Sequence, residues 1–454
     1  MTVKTRRIEQ VPTKEVILES IAQNNADRND DLIDLIKLLD SIEGPYSLLL
    51  DAAWGDGKTF FVKSLVEVLR ALNKNNNRDP ETLSALKGVT DKLNDVKTPY
   101  LPFYFNAWEN DFAEDPISAL FANLAVTFNE TGLTKEHPAR KCIASIIDAS
   151  LSVANLPPVA SELTKMIAGE SLIAAYEKHL QLRERIDELA EKSKLEIADK
   201  LVIIIDELDR CRPDFAVRLL EQTKALFQNE NIIVIISADS LQLAHAIGGL
   251  YGPGFDSQHF VERFFDQRLT LPPVDVYKVA TGKPLQDTMH NYDLMTQELL
   301  NTHNLTIRDY FRIHSKLEAG RVYCDVPDDG SLFSTVAKCL LVPTLIFIER
   351  DDTELFRSIT HGIDYDALYE YGSRYTTFNN CLRQIVALAK TGQRWTEDSE
   401  ISEEDCRQYV HDMCVWLYSS KRNSQELFEA HSRIGSPMGI NRSVFTALRF
   451  PKEN

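Results

Sequence analysis

The chain has 454 residues, a formal net charge of −18, 44% hydrophobic residues and 26% charged residues. One hydrophobic core does not fill that length, so two or three units are expected, with the composition of an ordinary globular protein rather than a disordered one. The acidic balance argues against a broad non-specific nucleic-acid surface, which needs clustered Lys and Arg. The seven cysteines lie scattered with no CxxC spacing. This argues against a cysteine metal site or a disulfide framework and fits a reduced, cytoplasmic setting.

The first 29 residues read as an N-terminal segment, with no apolar run behind the early basic residues to suggest a signal peptide. Asp30–Ile42 has apolar residues at helical spacing and acids at its start, which suit the helix dipole. Gly44-Pro45 ends it. Tyr46–Asp51 is a short apolar run suited to a buried parallel strand. A glycine-rich loop follows, then a helical pattern. Asn73–Lys97 turns polar and is expected to be a surface excursion, and Pro99–Trp108 reads as a second strand. From Asp111 to about Ala198 the pattern is helical, forming an insertion. Within it, Ile146–Tyr176 is the most apolar region, but Asp148, Glu162, Lys165, Glu170 and Pro157-Pro158 interrupt it. A membrane span needs about 18 consecutive apolar residues, so this stretch reads as buried or interfacial helix and supports no clear span.

Leu201–Arg210 is the strongest buried strand, carrying acids at its C-terminal end. A helix beginning at Pro213 follows, where proline suits the first turn. Ile232–Asp239 is another buried strand. The helix after it is expected to stop at Gly248-Gly249, and His259–Phe265 reads as a short helix before a last strand at Gln267–Pro273. Beyond Val274 the strand–helix alternation ceases and helices near Tyr292–Leu300, Thr376–Lys390 and Glu403–Leu417 dominate. The expected organisation is therefore an N-terminal segment (1–29), an α/β core (30–275) with a helical insertion at about 111–198, and a mainly α-helical C-terminal domain (276–454).

Ala52-Ala-Trp-Gly-Asp-Gly-Lys-Thr59 fits [AG]-x-x-x-x-G-K-[ST] and sits between a strand and a helix, the context a phosphate-binding loop needs. Glycines let backbone N–H groups wrap a phosphate without a Cβ in the way. Ala52, Trp54, Gly55, Asp56, Gly57, Lys58, Thr59 and Phe60 are the expected nucleotide-binding residues. Lys58 would reach the β and γ phosphates, and Thr59 would place its hydroxyl on Mg²⁺. Asp56 sits awkwardly among anions and should point out of the cradle. In Leu201–Arg210, an acid at the end of a buried strand is costly unless a cation or donors meet it. Asp206 would hold the Mg²⁺ shell and Glu207 would polarise the attacking water. Glutamate directly after that aspartate marks the class with an extra strand between the loop strand and the acid-bearing strand, and Ile232–Asp239 is the candidate. At its end, Ser237 or Asp239 would sense the γ-phosphate or position water; alternatively Asp239 or Ser240 simply caps the next helix. The fold expected is a three-layer αβα core with a mostly parallel sheet.

Three segments resemble the KAP family of P-loop NTPases: AAWGDGKT, FNAWE (Phe105–Glu109), and the long run IIIDELDRCRPDFAVRLLEQTKALF with Asp209-Arg210-Cys211 and Pro213. The resemblance covers roughly residues 30–275. It implies ATP and Mg²⁺ as ligands, ATP hydrolysis, and a large insertion between Lys58 and Asp206. Many bacterial members are mobile-element proteins, some acting in phage exclusion or defence. Paired transmembrane helices occur in the insertion of many members, from which this sequence departs. VERFFDQRLTLPP also resembles the segment before the last core strand of related oligomeric ATPases, which makes Arg263 a hypothetical arginine finger, with surface salt bridging as the alternative. Arg210 is another arginine that could act in trans. Trp54 and Trp108 either stack near the nucleotide or belong to the core, and Arg383 could approach it from the helical domain. The expected partners are ATP and either further copies of the chain or an effector protein.

Overall fold

The computed structural model describes residues 12–24, 27–73, 80–130, 180–191, 198–272, 291–303, most of 305–317, 340–391, 396 and 400–418. The apolar part of the insertion therefore lies outside the described residues. The chain divides into two compact units, the first spanning Gln10–Val279 and the second lying within Ala280–Asn454.

The first unit is built on five parallel strands: β1 (Tyr46–Asp51), β2 (Tyr100–Asn106), β3 (Lys200–Asp206), β4 (Ile232–Ala238) and β5 (Gln267–Thr270). Their order across the sheet is β2-β3-β4-β1-β5, so β4 lies between the loop strand β1 and the acid-bearing strand β3. The inserted strand expected from Ile232–Asp239 is thus present. Pro102 sits within β2, which is tolerable because β2 is an edge strand and a missing ladder donor can face outward.

Strand residues alternate between two apolar layers because successive side chains point to opposite faces. Leu48, Leu50, Val202, Ile204, Ile233 and Ile235 pack on one face against helices α1 (Lys14–Gln23), α2 (Asn29–Ser41), α3 (Lys58–Leu72) and α4 (Pro80–Thr90). Leu49, Phe103, Phe105, Ile203, Ile205, Val234 and Ile236 pack on the other. The helices there are α5 (Pro116–Glu130), α6 (180–191), α7 (Pro213–Leu226), α8 (Ser240–Tyr251) and α9 (Ser257–Glu262). Both faces being covered explains why the strands read as continuous apolar runs rather than alternating ones.

Two local expectations change. The polar stretch Asn73–Lys97 contains α4, whose Thr82, Leu86 and Val89 are buried. Those three side chains share one face, which suffices to dock a helix that is otherwise polar. Helix α8 does not stop at Gly248-Gly249 but runs to Tyr251, with Gly252 (φ 93°) at its end. A glycine inside a helix costs only about 1 kcal/mol. At Gly248 it has a packing reason, since a Cβ there would come within 3.2 Å of Ser257 Oγ on α9.

The second unit is helical in its described part: α10 (Asn291–Thr302), α11 (Val342–Asp351), α12 (Thr353–Thr360), α13 (Asp366–Gly372), α14 (Thr376–Thr391) and α15 (Glu403–Tyr418). They enclose their own core, including Met295, Phe347, Leu368, Phe378, Leu382 and Met413. Among the described residues no helix is long and apolar enough to cross a membrane.

Candidate nucleotide site

Strand β1 ends at Asp51 and α3 begins at Lys58, leaving Ala52–Gly57 as the intervening loop. Gly55 (φ 98°) and Gly57 (φ 81°) occupy the left-handed region, which frees the loop to turn its N–H groups inward. Ala52 stands where glycine is more usual; it is buried and does not take a positive φ, so its Cβ brings no backbone strain. The Lys58 ammonium is buried and donates to Ala52 O at 2.5 Å and Ala53 O at 3.2 Å. Thr59 and Phe60 follow in the first turn of α3, both partly buried. Asp56 is also partly buried; burial pushes its carboxyl up, while Lys58 and Arg28 pull it down.

Asp206 closes β3 and is completely buried. Tyr104, on the neighbouring β2, donates its hydroxyl to Asp206 Oδ2 at 3.0 Å. Burial pushes the Asp206 carboxyl up, and the nearby hydroxyls of Ser237, Thr59 and Tyr104 oppose that shift. Asp206 Oδ1 and Ser237 Oγ are nonetheless buried without a hydrogen bond of good geometry. Ser237 is the register partner of Asp206 on β4. An unpartnered carboxylate oxygen with hydroxyls around it is a hard-oxygen set that fits Mg²⁺, which takes one or two protein ligands beside phosphate oxygens. Among the described residues no cluster of three or more His, Cys, Asp or Glu forms an all-protein metal cage.

Glu207 takes left-handed backbone angles (φ 60°, ψ 30°). For a residue with a Cβ this costs about 1–3 kcal/mol and persists only where the surroundings impose it. Its carboxylate is held on both sides: Arg210 Nη1 lies 2.7 Å from Oε1, and Asn106 Nδ2 donates to Oε2 at 3.2 Å. Burial pushes the carboxyl up, with Arg210 as the main opposing influence. The Arg210 guanidinium lies 5.5 Å from the centre of the Trp108 ring, which is half exposed. Arg210 is thus engaged with Glu207 of its own chain.

Trp54 donates its indole N–H to Asp209 Oδ2, tying the loop to the turn after β3. Asp239 spends its carboxylate on the N-terminus of α8, accepting from Leu241 N and Gln242 N at 3.1 Å each. Arg263 is exposed with its guanidinium 4.8 Å from the centre of the Phe260 ring, and among the described residues that group makes no hydrogen bond or ion pair. Arg383 belongs to α14 of the helical unit, where it neighbours Cys406 and Tyr369.

The fold therefore gathers Lys58, Thr59, Asp206, Glu207 and Ser237 at the C-terminal ends of β1, β3 and β4. Sequence reasoning passed over Asn106, Tyr104 and Asp209 as site residues. Asn106 stood in the quoted FNAWE segment, and its strand end was the available signal; Tyr104, two positions earlier, carried none.

A parallel sheet with a glycine loop after β1, an acid pair at the C-terminal end of β3 and β4 between the two strands defines a P-loop NTPase core. The model of the KAP family P-loop domain matches residues 29–313, and the chain belongs to that family. No curated protein matches the chain.

Proposed function

We propose that the protein is a Mg²⁺-dependent ATPase. The observation that carries this reading is the meeting of Thr59, Asp206 and Ser237 beneath the loop, with one buried Asp206 oxygen unpartnered. The loop N–H groups and the N-terminus of α3 would receive the phosphates. Lys58 would exchange its bonds to Ala52 O and Ala53 O for phosphate oxygens. Asp206 and the Thr59 hydroxyl would hold Mg²⁺, which neutralises charge on the phosphates when bound. Glu207 would orient a water and take its proton; its partly buried carboxylate binds a proton more readily than an exposed one. Asn106 and Arg210 fix where that carboxylate points. Phosphate release from ATP by the purified protein tests the reading: Mg²⁺-dependent release that disappears in Lys58→Ala supports it. Absence of release from the wild type, alone or with a partner, would overturn it.

One observation favours a second reading, a slow nucleotide-gated scaffold. Glu207 is held by Arg210 and Asn106, which take one acceptor site on each carboxylate oxygen, and the Arg210 ion pair makes that carboxylate less ready to take a proton from water. Turnover near one per minute, far below the usual enzyme median of about 10 s⁻¹, with a nucleotide-dependent change in oligomer size would favour it. On either reading, nucleotide state is coupled to assembly or remodelling, and the family resemblance suggests bacterial anti-phage defence. Phage challenge of cells carrying wild type or Lys58→Ala decides that role, equal plaque counts standing against it.

A further inference from the structure

Arg28 precedes α2 and lies outside every motif of the chain, yet it is 6% exposed. Its Nη2 donates to two carbonyls from separate segments: Asp56 O of the phosphate loop at 3.2 Å and Pro272 O, just after β5, at 2.8 Å. Its carbon Cζ lies 5.9 Å from the centre of the Phe61 ring, in the first turns of α3. The other two nitrogens, Nε and Nη1, are buried without a partner. Burial pushes the guanidinium down, while Asp31 and Asp56 favour its charge.

A buried arginine with two unpartnered nitrogens is a poor device for stability alone, because an apolar side chain of similar length would fill the space without desolvating a charge. What an apolar side chain would not supply is the fork that joins Asp56 O to Pro272 O. Asp56 precedes Gly57, whose left-handed angles start α3, so fixing the Asp56 carbonyl fixes the peptide that leads into Gly57 and Lys58. The same nitrogen fixes the point where the chain leaves the sheet.

We infer that Arg28 is a positioning residue for the nucleotide site: it holds the Asp56–Gly57 peptide in its phosphate-binding orientation and ties that loop to the exit of β5 at Pro272. Arg28 touches no substrate in this role. It acts through the loop, and loop and exit segment share one donor, so ordering of one is felt at the other. The inference rests on the nucleotide-binding reading above, but its first readout needs no nucleotide.

The test uses the full chain with Arg28→Met, which keeps the apolar stem, and Arg28→Lys, which keeps a charged donor but ends one atom short of where Nη2 meets the two carbonyls. Hydrogen exchange is followed in the free protein over peptides covering Asp51–Phe60 and Arg268–Pro272. Arg28→Met is expected to speed exchange at both, and Arg28→Lys to give an intermediate effect. Binding of ATP, ADP and inorganic tripolyphosphate is then measured by tryptophan fluorescence. All three should weaken at least tenfold in Arg28→Met, with turnover at saturating ATP changed less than threefold. Faster exchange confined to α2, or nucleotide affinities equal to wild type in the folded variant, would overturn the inference. If Arg28→Met does not fold, Arg28→Lys decides between the same outcomes. A wild type that binds none of the three ligands sinks the nucleotide reading itself, and the exchange result then stands or falls separately as a statement about the loop.

Discussion

Replacing Asp206 with Asn should make the protein more stable and at the same time unable to gain from its ligand. Asp206 is completely buried, carries an Oδ1 without a partner and is pushed up by burial, so the fold holds a carboxyl group it does not fully satisfy. A buried unsatisfied polar group costs about 1–3 kcal/mol. The asparagine amide keeps an oxygen to accept from the Tyr104 hydroxyl and brings an N–H₂ that can donate to Ser237 Oγ, which also lacks a partner. The volume is unchanged, so no cavity opens. The variant should therefore gain about 1–3 kcal/mol in the unfolding of the sheet unit, which for a unit of this size is a rise of roughly 2–4 °C per kcal/mol. Thermal unfolding in EDTA at pH 7 measures this. The second half of the assay adds Mg²⁺ and ATP. A ligand at a hundred times its Kd adds about 2.7 kcal/mol to the wild type, and the variant should lose most of that increment. Lower stability of the variant in EDTA, or an undiminished Mg²⁺-dependent increment, would refute the reasoning.

Glu207→Gln should lower phosphate release by about 10²–10⁴-fold, the usual worth of a positioned general base. ATP affinity should stay within threefold, as fluorescence titration would report. Tyr104→Phe removes the hydroxyl that orients Asp206 and should raise the Mg²⁺ concentration needed for half-maximal nucleotide binding by about 10-fold. In the helical unit, Ser402 N donates to Asp405 Oδ2 and Asp405 N to Ser402 Oγ, a reciprocal cap at the start of α15. Ser402→Ala should cost that unit about 1 kcal/mol in thermal unfolding. The Asp405 carboxyl is held below its ordinary value, chiefly by Lys390. Its contribution is therefore present above the unfolded value of about 3.9 and fades as pH falls through the lower folded value. Asp405→Asn should flatten that acid limb of the stability curve; an unchanged slope would stand against the pairing.

The parts of the core that depend on local pattern were legible in the sequence. Buried parallel strands must be apolar on both faces, so Leu201–Ile205 and Ile232–Ile236 announced themselves. The glutamate after Asp206 carried the one piece of topology that was readable, the strand between β1 and β3. Contacts made across the sheet were not legible. The Tyr104 hydroxyl reaches Asp206 from the adjacent strand, and nothing in a tyrosine within YLPFYFN distinguishes it from a core aromatic. Arg28 meets Asp56 and Pro272 only because β5 lies beside β1 at the sheet edge. Helix α4 hid in a polar stretch because three buried side chains are too few to raise a periodic signal. The end of α8 was misplaced because tertiary packing of Gly248 against Ser257 outweighs the local preference of glycine for helix ends.

The distribution of unsatisfied groups bears on how ligand and fold are coupled. Among the described residues, more than half of the buried side-chain polar atoms without a partner belong to Arg28, Asp206, Asp209 and Ser237. Glu207, in the same place, has strained backbone angles. The two apolar layers on either side of the sheet carry that cost, and a ligand that satisfied even part of it would return the difference as binding energy. Stabilisation by nucleotide should then be felt by the unit that holds these groups, through the strands β1, β3 and β4 that end at the site. The helical unit, which has its own core, should respond only as far as the two units unfold together. Calorimetry of the full chain separates these cases. Two transitions with only the one assigned to the sheet unit moving on addition of Mg²⁺ and ATP would mean that the ligand energy stays in the sheet. A single transition that moves as a whole would mean that the units share it. A nucleotide that moves neither would contradict the idea that the unpartnered oxygens of Asp206 and Ser237 await a ligand.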